Sequence, residues 1–414
     1  MVQKINTACI LGLGYIGLPT AVMLASSGLR VFGVDIRKDI VDALNSGGAH
    51  FSEPGLDELL GKTVADGSLR GFLEPQAADC FVIAVPTPFN EDRSPDLRYV
   101  DSAARAIAKV LKPGDLVILE STSPVGTTER VARILQAENA VIVAPLTENE
   151  HPNIHLAYCP ERILPGQMMQ ELVNNDRIVG GMTPACTDLA RQVYGSFCKG
   201  ALHGTETRTA EMVKLVENSY RDLNIAFANE ISMLCDKIDV DVWDAIKLAN
   251  CHPRVNILSP GCGVGGHCIA VDPWFLIQPY PESTKLMRVV RDTNDFKSQY
   301  VFDQIASAAS RMKSPVIACL GLTYKPDVGD LRESPALYIA NQLASAGTGK
   351  IIAVDPTLGG DVSGLHQGIE LLPLESALQK ADIVAILVNH SAFKQLKSQA
   401  LADRIVIDSV GLLH

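Results

Sequence analysis

The chain has 414 residues, of which 47% are hydrophobic and 20% are charged, and its formal net charge is −11. This length and composition predict two or three packed domains and exclude a disordered chain. The acidic balance, without any block of lysine and arginine, argues against a nucleic-acid backbone or an anionic membrane surface as the partner.

Apolar runs in the chain are too short to cross a membrane. The longest are segments such as Phe81–Val85 and Ile383–Val388, whereas a spanning helix needs roughly 18 apolar residues. Lys4 leads directly into an apolar segment and a glycine-rich turn, which is not the pattern of a secretion signal. None of the ten cysteines belongs to a C-x-x-C pair, so free thiols are expected. We therefore expect a cytoplasmic protein.

The N-terminal segment predicts a strand, a turn, a helix and a second strand. Residues 5–11 form an apolar run, Gly12–Gly17 a glycine-rich turn, and a helical pattern continues to Ser27. Arg30–Val34 then predicts a second strand that ends at Asp35. This is a βαβ unit of the length that half a dinucleotide-binding fold requires.

Short apolar runs and helical patterns continue to alternate along the chain, which is typical of a parallel, doubly wound sheet. The next predicted strands are Cys80–Val85, Leu116–Leu119 and Ala140–Val143. From Thr205 to about Leu248 the chain has little glycine and no proline, and its pattern predicts a long helix at Glu211–Lys237.

A shorter helix is predicted at Val242–Leu248, followed by a glycine-rich loop at Ser259–Cys268. The later predicted strands are Val316–Leu320, Ile351–Val354, Ile383–Val388 and Ile405–Ile407. The fold class expected is α/β, with two Rossmann-like doubly wound domains joined by a central helical domain. The expected domains are residues 1–200, 201–300 and 301–414.

A cofactor site is indicated at the first turn, where Gly12, Gly14 and Gly17 lie between a strand and a helix. Such glycines allow the backbone to approach a pyrophosphate, which the helix N-terminus favours. Asp35, 18 residues past Gly17, would bind the ribose hydroxyls of NAD and repel the 2′-phosphate of NADP. Arg37 and Lys38 lie close by and weaken that preference, and a glycine turn without a ligand is the alternative.

A chemical site is indicated at Cys268. The loop before it contains four glycines at 261–266, which let backbone approach another group closely and place Cys268 at a sharp bend, and Asp272 follows four residues on. A cysteine in this setting favours a nucleophile. Metal binding by Cys262, His267 and Cys268 is the alternative, but the spacing is not a standard zinc pattern. Cys262 could instead make the site sensitive to oxidation.

Three polar residues of the long predicted helix, Lys214, Asn218 and Arg221, recur at helical spacing and so share one face. The alternative is an ordinary solvated face. Together with a nucleophilic cysteine and NAD, they favour an oxidation through a thioester, in which lysine and asparagine stabilise the negative oxygen.

Seven motifs along the chain resemble those of the UDP-glucose/GDP-mannose dehydrogenase family. They are Gly12–Gly17, Glu120–Gly126, Cys159–Arg162, Lys214–Arg221, the loop ending at Cys268, Gly321–Pro326 and Leu331–Pro335. The resemblance implies a four-electron oxidation of the sugar C6 alcohol to a carboxylate by two NAD molecules in succession.

Site roles follow from the same resemblance. The implied catalytic residues are Cys268 as nucleophile, Lys214 with Asn218 as acid/base and oxyanion partners, Asp272 for the water, and Glu161 near the reacting centre. The implied cofactor residues, besides the glycines, are Tyr15, Ile16, Asp35, Thr87, Thr122 and Arg332. The implied substrate residues are Arg162, Ile163, Lys214, Asn218, Arg221, Gly265, Tyr324 and Lys325, with His252 and Arg254 reaching the substrate from a neighbouring subunit. We therefore expect a homodimer or a higher homo-oligomer.

The segments Cys251–Leu258 and Gly263–Phe275 are most similar to family members that act on UDP-N-acetyl-D-mannosamine. The expected product is UDP-N-acetyl-D-mannosaminuronate, for polysaccharide biosynthesis. UDP-N-acetylglucosamine and UDP-glucose are the alternative substrates. A two-electron 3-hydroxyacid dehydrogenase and an NAD-dependent regulator are the remote alternatives.

Overall fold

The computed structural model describes residues 4–149, 151–164, 166–359, 363–396 and 401–414. The chain divides into a first unit, Met1–Val216, and a second unit, Glu217–His414. In the described ranges, no helix combines the length and the apolar character that crossing a membrane requires.

An eight-stranded sheet organises the described residues of the first unit. Its strands are β1 (Thr7–Leu11), β2 (Arg30–Val34), β3 (Leu69–Phe72), β4 (Cys80–Ile83), β5 (Leu116–Leu119), β6 (His155–Tyr158), β7 (Arg177–Gly181) and β8 (Leu202–Glu206). They lie in the order β3-β2-β1-β4-β5-β6-β7-β8, and only the β6–β7 pair is antiparallel.

Helices cover both faces of this sheet. They are α1 (Gly17–Ser26), α2 (Lys38–Asn45), α3 (Leu56–Ala65), α4 (Arg98–Ala108), α5 (Thr127–Glu138), α6 (Met168–Asn174) and α7 (Pro184–Tyr194). Successive residues of β1 alternate between two cores, Ala8 and Ile10 in one, Cys9 and Leu11 in the other. A parallel sheet buried on both faces has this continuous apolar sequence, which is why the short runs predicted strands.

The second unit contains a five-stranded parallel sheet in the order β11-β10-β9-β12-β13. Its strands are β9 (Val316–Leu320), β10 (Lys350–Val354), β11 (Ile369–Leu371), β12 (Ile383–Ile386) and β13 (Ile405–Asp408). The first five strands of the other unit lie in the same order, which confirms the expectation of two Rossmann-like sheets.

The remaining helices complete the chain. They are α8 (Thr207–Lys237), α9 (Val242–Ala249), α10 (Trp274–Ile277), α11 (Lys285–Ala309), α12 (Pro335–Ser345), α13 (Leu374–Lys380) and a 3-10 helix at Ser391–Phe393. The long helix expected from Glu211 begins one turn earlier, at Thr207, and ends at Lys237 as predicted.

The strand expected at Ala140–Val143 is wrong. The segment is irregular, because the N–H of Val143 donates to the side chain of Asn153 and that of Ala144 to Gln136. The sheet continues instead at His155–Tyr158.

Candidate active site

The glycine-rich turn joins β1 to α1 at the carboxyl edge of the first sheet. Gly12 has φ +91°, and a Cβ there would lie 2.5 Å from the carbonyl oxygen of Ala84, so glycine is required. A Cβ on Gly14 would meet nothing within 4 Å, so this part of the turn faces open space. With Gly17 as the first residue of α1, the N-terminus of that helix, which favours a negatively charged group, lies beside this open space.

Asp35 lies beside the turn, directly after β2. Its carboxylate accepts hydrogen bonds from the backbone N–H of Leu13, at 3.0 Å, and of Arg37, at 2.9 Å. The residue remains partly exposed. A fixed and accessible carboxylate suits two ribose hydroxyls, which are hydrogen-bond donors.

The other cofactor residues expected in the first unit border the same edge. Tyr15 is exposed, with its ring centroid 4.4 Å from that of Phe51, and Ile16 is half-buried. Thr87 and Thr122 are half-buried and follow the carboxyl ends of β4 and β5. The structure therefore brings the glycine turn, Asp35 and the strand-end residues to the edge where such sheets bind ligands.

Lys214 is held in a buried position on α8. One turn earlier, the buried carboxylate of Glu211 accepts the backbone N–H groups of Gly126 and Thr128, at 2.6 and 2.8 Å, at the start of α5. Lys214 Nζ in turn donates to the backbone carbonyl of Glu161, at 2.8 Å. The alternative of a solvated helix face is therefore wrong for Lys214.

A buried charge cluster surrounds the Glu161 side chain. Glu161 Oε2 lies 2.5 Å from Arg177 Nη2, and Arg177 Nη1 lies 3.7 Å from Glu120. Burial raises the pKa of Glu120 to about 7, although Arg177 lowers it. Burial acts to lower the pKa of Arg177, but the neighbouring anionic groups, Glu161 first, raise it overall.

Sequence reasoning missed two members of this cluster, Glu120 and Arg177, as functional candidates. For Glu120 the sequence did contain a signal, because an acidic residue there directly follows the wholly apolar strand β5. Arg162 and Ile163, expected to bind substrate, follow Glu161 and are half-buried, and Arg162 donates to the carbonyl of Asp176.

Glu53 was also missed. Its buried carboxylate accepts the N–H groups of Gly166 and Met168, at 2.8 and 2.7 Å, and so fixes the chain just after Ile163.

In the second unit, a tight turn brings Asp272 close to Cys268. The N–H groups of Val271 and Asp272 donate to the Cys268 carbonyl, at 3.1 and 2.8 Å. The Asp272 side chain is buried and accepts a 2.5 Å hydrogen bond from Asn218 Nδ2 on α8. The structure therefore pairs two of the expected catalytic residues beside the expected nucleophile. Arg221, one turn along α8 from Asn218, is exposed.

The glycines before Cys268 allow a close approach between two segments of the second unit. A Cβ on Gly265 would lie 2.4 Å from the carbonyl of Glu333, and one on Gly266 would lie 2.7 Å from the Tyr324 ring. The loop thus packs closely against the segment 324–333 of its own unit. The close approach predicted for the loop is confirmed at Gly265 and Gly266, and the group approached is the chain itself.

This packing brings further expected residues to the loop. The N–H of Gly266 donates to the Arg332 carbonyl at 3.0 Å, and the Arg332 guanidinium pairs with Asp330 at 2.6 Å. Tyr324 and Lys325 are half-buried in the same segment. His252 and Arg254 instead lie in the exposed turn after α9, so that their side chains face solvent in the single chain.

Cys262 is buried, with its Sγ 3.4 Å from the carbonyl of Leu387. Burial raises the pKa of this thiol to about 12, which argues against the oxidation-sensitive role expected for it. Within the described part of the chain, no three His, Cys, Asp or Glu side chains are grouped to bind a metal ion.

Known proteins match the chain along its length. Residues 6–198, 208–296 and 318–414 match, in turn, the NAD binding domain, the central domain and the UDP binding domain of the UDP-glucose/GDP-mannose dehydrogenase family. The chain is 52% identical over 407 residues to the NDP-N-acetyl-D-galactosaminuronic acid dehydrogenase of Ralstonia nicotianae, covering 98% of this chain and 96% of that protein.

Two further similarities concern another nucleotide sugar. The UDP-N-acetyl-D-mannosamine dehydrogenase of Campylobacter jejuni is 52% identical over 399 residues, covering 96% of this chain and 98% of that protein. The solved structure of the UDP-D-ManNAc dehydrogenase of Pyrococcus horikoshii is 38% identical, with a TM-score of 0.88, covering 99% of this chain and 96% of that one.

Proposed function

The chain belongs to the UDP-glucose/GDP-mannose dehydrogenase family, and we propose that it oxidises C6 of UDP-N-acetyl-D-mannosamine from an alcohol to a carboxylate. The observation that carries the proposal is the Cys268 turn, in which a thiol precedes a buried aspartate that is hydrogen-bonded to Asn218. A thiol beside a carboxylate suits the second oxidation, from aldehyde to acid, which a simple alcohol dehydrogenase does not perform.

The proposed reaction has two oxidations and one hydrolysis. The alcohol first loses a proton and a hydride and becomes an aldehyde. The Cys268 thiolate adds to that aldehyde, a second hydride leaves, and the resulting thioester is cleaved by water to release the carboxylate and the thiol. One alcohol and one water thus yield one carboxylate, two transferred hydrides and three protons.

Residues of both units are assigned to these steps. We assign Lys214, whose amine is held by the Glu161 carbonyl, to the transfer of the hydroxyl proton. Lys214 and Asn218 donate to the negative oxygen of each tetrahedral state. Asp272 directs the water at the thioester, because its carboxylate is buried and already oriented by Asn218.

The turn after β1 fits NAD, which supplies the hydride acceptor in both oxidations when bound. The open space at Gly14 admits a pyrophosphate to the N–H groups at the start of α1. Asp35 accepts from the ribose hydroxyls and repels a 2′-phosphate. We assign Tyr15, Ile16, Thr87, Thr122 and Arg332 to the same cofactor.

The sugar is proposed from the relatives named for UDP-N-acetyl-D-mannosamine and from the likeness of the Cys268 loop to theirs. The Ralstonia relative supports a second candidate, an N-acetylgalactosamine nucleotide. Comparing kcat/KM for the UDP forms of N-acetylmannosamine, N-acetylgalactosamine, N-acetylglucosamine and glucose tests the choice. We expect the first to exceed the others at least 100-fold; a higher value for any other sugar would overturn the assignment.

We also propose a homodimer formed through α8. Five large apolar residues on this helix recur at intervals of four or seven and are between 39% and 66% exposed: Met212, Val216, Tyr220, Phe227 and Leu234. Such a stripe on a helix surface is typical of a protein interface. His252 and Arg254 are then available to the site of the second copy.

The ten cysteines are all free, which suits a reducing compartment, and we propose the cytoplasm.

A further inference from the structure

The two Rossmann-like sheets begin with the same turn. Gly12 after β1 and Gly321 after β9 have φ values of +91° and +90°. In each unit the next backbone N–H donates to an aspartate that follows the neighbouring strand, Asp35 at 3.0 Å and Asp355 at 2.8 Å. Asp355 is therefore the counterpart, in the second unit, of the proposed ribose-binding aspartate of the first.

The surroundings of these two aspartates differ. Asp35 is partly exposed at the edge of its sheet. The Asp355 side chain is fully buried, and the equally buried His390 Nε2 lies 3.2 Å from its Oδ2. Thr357 donates to the other carboxylate oxygen through its backbone N–H and its hydroxyl, at 2.9 and 2.7 Å. An imidazole and a hydroxyl of the chain itself are thus the partners of the Asp355 carboxylate.

The hydrogen-bond partners of His390 identify which ring nitrogen carries a hydrogen. The backbone N–H of Asp327 can only donate, and it lies 3.0 Å from Nδ1, so Nδ1 accepts and Nε2 carries the hydrogen. Nε2 is 3.2 Å from the Thr323 hydroxyl as well as from Asp355. The Thr323 hydroxyl in turn donates a hydrogen bond to the carbonyl of Lys325, at 3.0 Å. The imidazole therefore connects to both ends of the segment 323–327.

The same segment has a further support at its end. Asp327 has φ +58°, in the left-handed region that disfavours residues other than glycine. Its carboxylate accepts the backbone N–H and the hydroxyl of Ser391, at 2.9 and 2.6 Å. A strained residue persists only where its surroundings hold it, and here His390 and Ser391 do so.

We propose that His390 is a positioning residue for the nucleotide end of the substrate. Its imidazole contacts the Asp355 carboxylate and so leaves it less able to bind another group. It also fixes the segment 323–327 in the shape that exposes Tyr324 and Lys325 to the substrate. This unit therefore takes a uridine diphosphate group through that segment and cannot bind ribose in the way that Asp35 does. The inference rests on the proposed function, which assigns Tyr324 and Lys325 to the substrate, and on the match of residues 318–414 to a UDP binding domain.

Three variants separate the two roles of the ring. His390→Ala removes both hydrogen-bonding positions. His390→Asn keeps an acceptor near Nδ1, and His390→Gln keeps a donor near Nε2. We expect the Kd for UDP, measured by calorimetry, and the KM for the nucleotide sugar to rise at least 10-fold in His390→Ala. Each amide variant should recover part of that loss, while kcat and the KM for NAD stay within about 2-fold of native.

Leu378→Ala is the matched control, because it truncates a buried side chain in the core of the same sheet. It should lower the melting temperature and leave the Kd for UDP unchanged. Equal weakening of UDP binding in this variant and in His390→Ala would overturn the inference, as would native UDP binding in His390→Ala.

Should the His390 variants fail to fold, Ser391→Ala tests the same support at an exposed position. A rise of about 3-fold in the Kd for UDP is expected, and an unchanged Kd would overturn the inference. Calorimetry needs no turnover, so a native protein that binds UDP but oxidises no nucleotide sugar contradicts the proposed function alone. A native protein that does not bind UDP contradicts both.

Discussion

Asp272 combines three properties at the level of a single side chain. It is buried, it follows Cys268 by one tight turn, and it accepts the amide of Asn218 at 2.5 Å. A carboxylate that is already oriented and shielded from bulk water can direct a water molecule with little reorganisation. This is the reason for assigning the hydrolysis step to Asp272.

Asp272→Asn tests that assignment. The new amide oxygen can still accept from Asn218, so the turn should keep its shape, but the negative charge is lost. We expect kcat to fall at least 100-fold, with the KM for the nucleotide sugar changed less than 3-fold. Asp303→Asn, an exposed change on α11, is the control. Near-native kcat in Asp272→Asn would remove Asp272 from the mechanism.

Glu120 gives a pH prediction at the same scale. Burial raises its pKa from an ordinary 4.5 to about 7. Because the folded pKa is the higher one, ionised Glu120 costs stability as pH rises from about 4.5 to 7, and the full cost applies above that range. Glu120→Gln removes this titration while keeping an acceptor for the hydroxyl of Tyr194, which donates to Glu120 at 2.9 Å.

We therefore expect the stability of Glu120→Gln relative to native to increase between pH 5 and pH 8, by roughly 1–3 kcal/mol. Urea unfolding at both pH values measures the difference, with the exposed Glu138→Gln as control. A difference that does not vary with pH would contradict the raised pKa.

The residues proposed to react were easier to identify from the sequence than the residues that support them. Cys268, Lys214 and Asn218 lie in motifs with recognisable spacing. Arg177 and His390 do not, because their partners are distant in sequence and a buried ion pair or a buried imidazole leaves no local pattern. Such residues become candidates only when burial and hydrogen bonds are known.

At the level of elements, close packing fixes the glycine loop that precedes Cys268, the proposed nucleophile. Gly265 has no room for a Cβ, since one would lie 2.4 Å from the carbonyl of Glu333. Gly261 has room, because the nearest atom to its Cβ position is 3.9 Å away. The two positions therefore form a matched pair in one loop.

Gly265→Ala should shift the loop and lower kcat/KM at least 10-fold, whereas Gly261→Ala should stay within about 2-fold of native. Steady-state kinetics on both variants measure this, with circular dichroism to show that each is folded. Similar kinetics for the two variants would mean that the close packing of Gly265 does not govern the position of Cys268.

The prediction of elements succeeded where apolar residues carried the pattern. The strands predicted at β1, β2, β4, β5, β9, β10, β12 and β13 are confirmed, as is the end of α8, because buried parallel strands and a long amphipathic helix have strong signals. The strands β3, β6, β7, β8 and β11 were not predicted. Helix α11 was not located, since its buried face includes Arg291, Asn294 and Lys297. Ala140–Val143 was wrong because side-chain amides, not a neighbouring strand, satisfy its end.

At the scale of the whole molecule, the described residues form two sheets whose first five strands share one order, and the same turn has a different use in each. The first leaves Asp35 accessible, and the second covers Asp355 with His390. The sequence suggested two α/β domains of similar style, but it did not show that Asp35 and Asp355 hold corresponding positions in them. That relation appears only when the hydrogen bonds of the two turns are compared.

The proposed homodimer gives a prediction for the whole molecule. A lysine in the middle of the exposed stripe on α8 should oppose burial of that stripe. We therefore expect the Phe227→Lys variant to be a monomer and the native protein to be a dimer. Light scattering after size-exclusion chromatography measures the mass. Ser102→Lys, exposed on α4, adds the same charge elsewhere and should remain a dimer. A monomeric native protein would contradict the proposed interface.

The most direct test of the four-electron reaction is the number of NADH molecules formed per molecule of UDP-N-acetyl-D-mannosamine consumed. The native protein and Cys198→Ser, which changes a half-buried thiol remote in sequence from the turn, should each give two and release the uronate. Cys268→Ser should give fewer than two and no uronate, because no thioester can form. One NADH from the native protein, or two from Cys268→Ser, would contradict the assignment of Cys268 as the nucleophile.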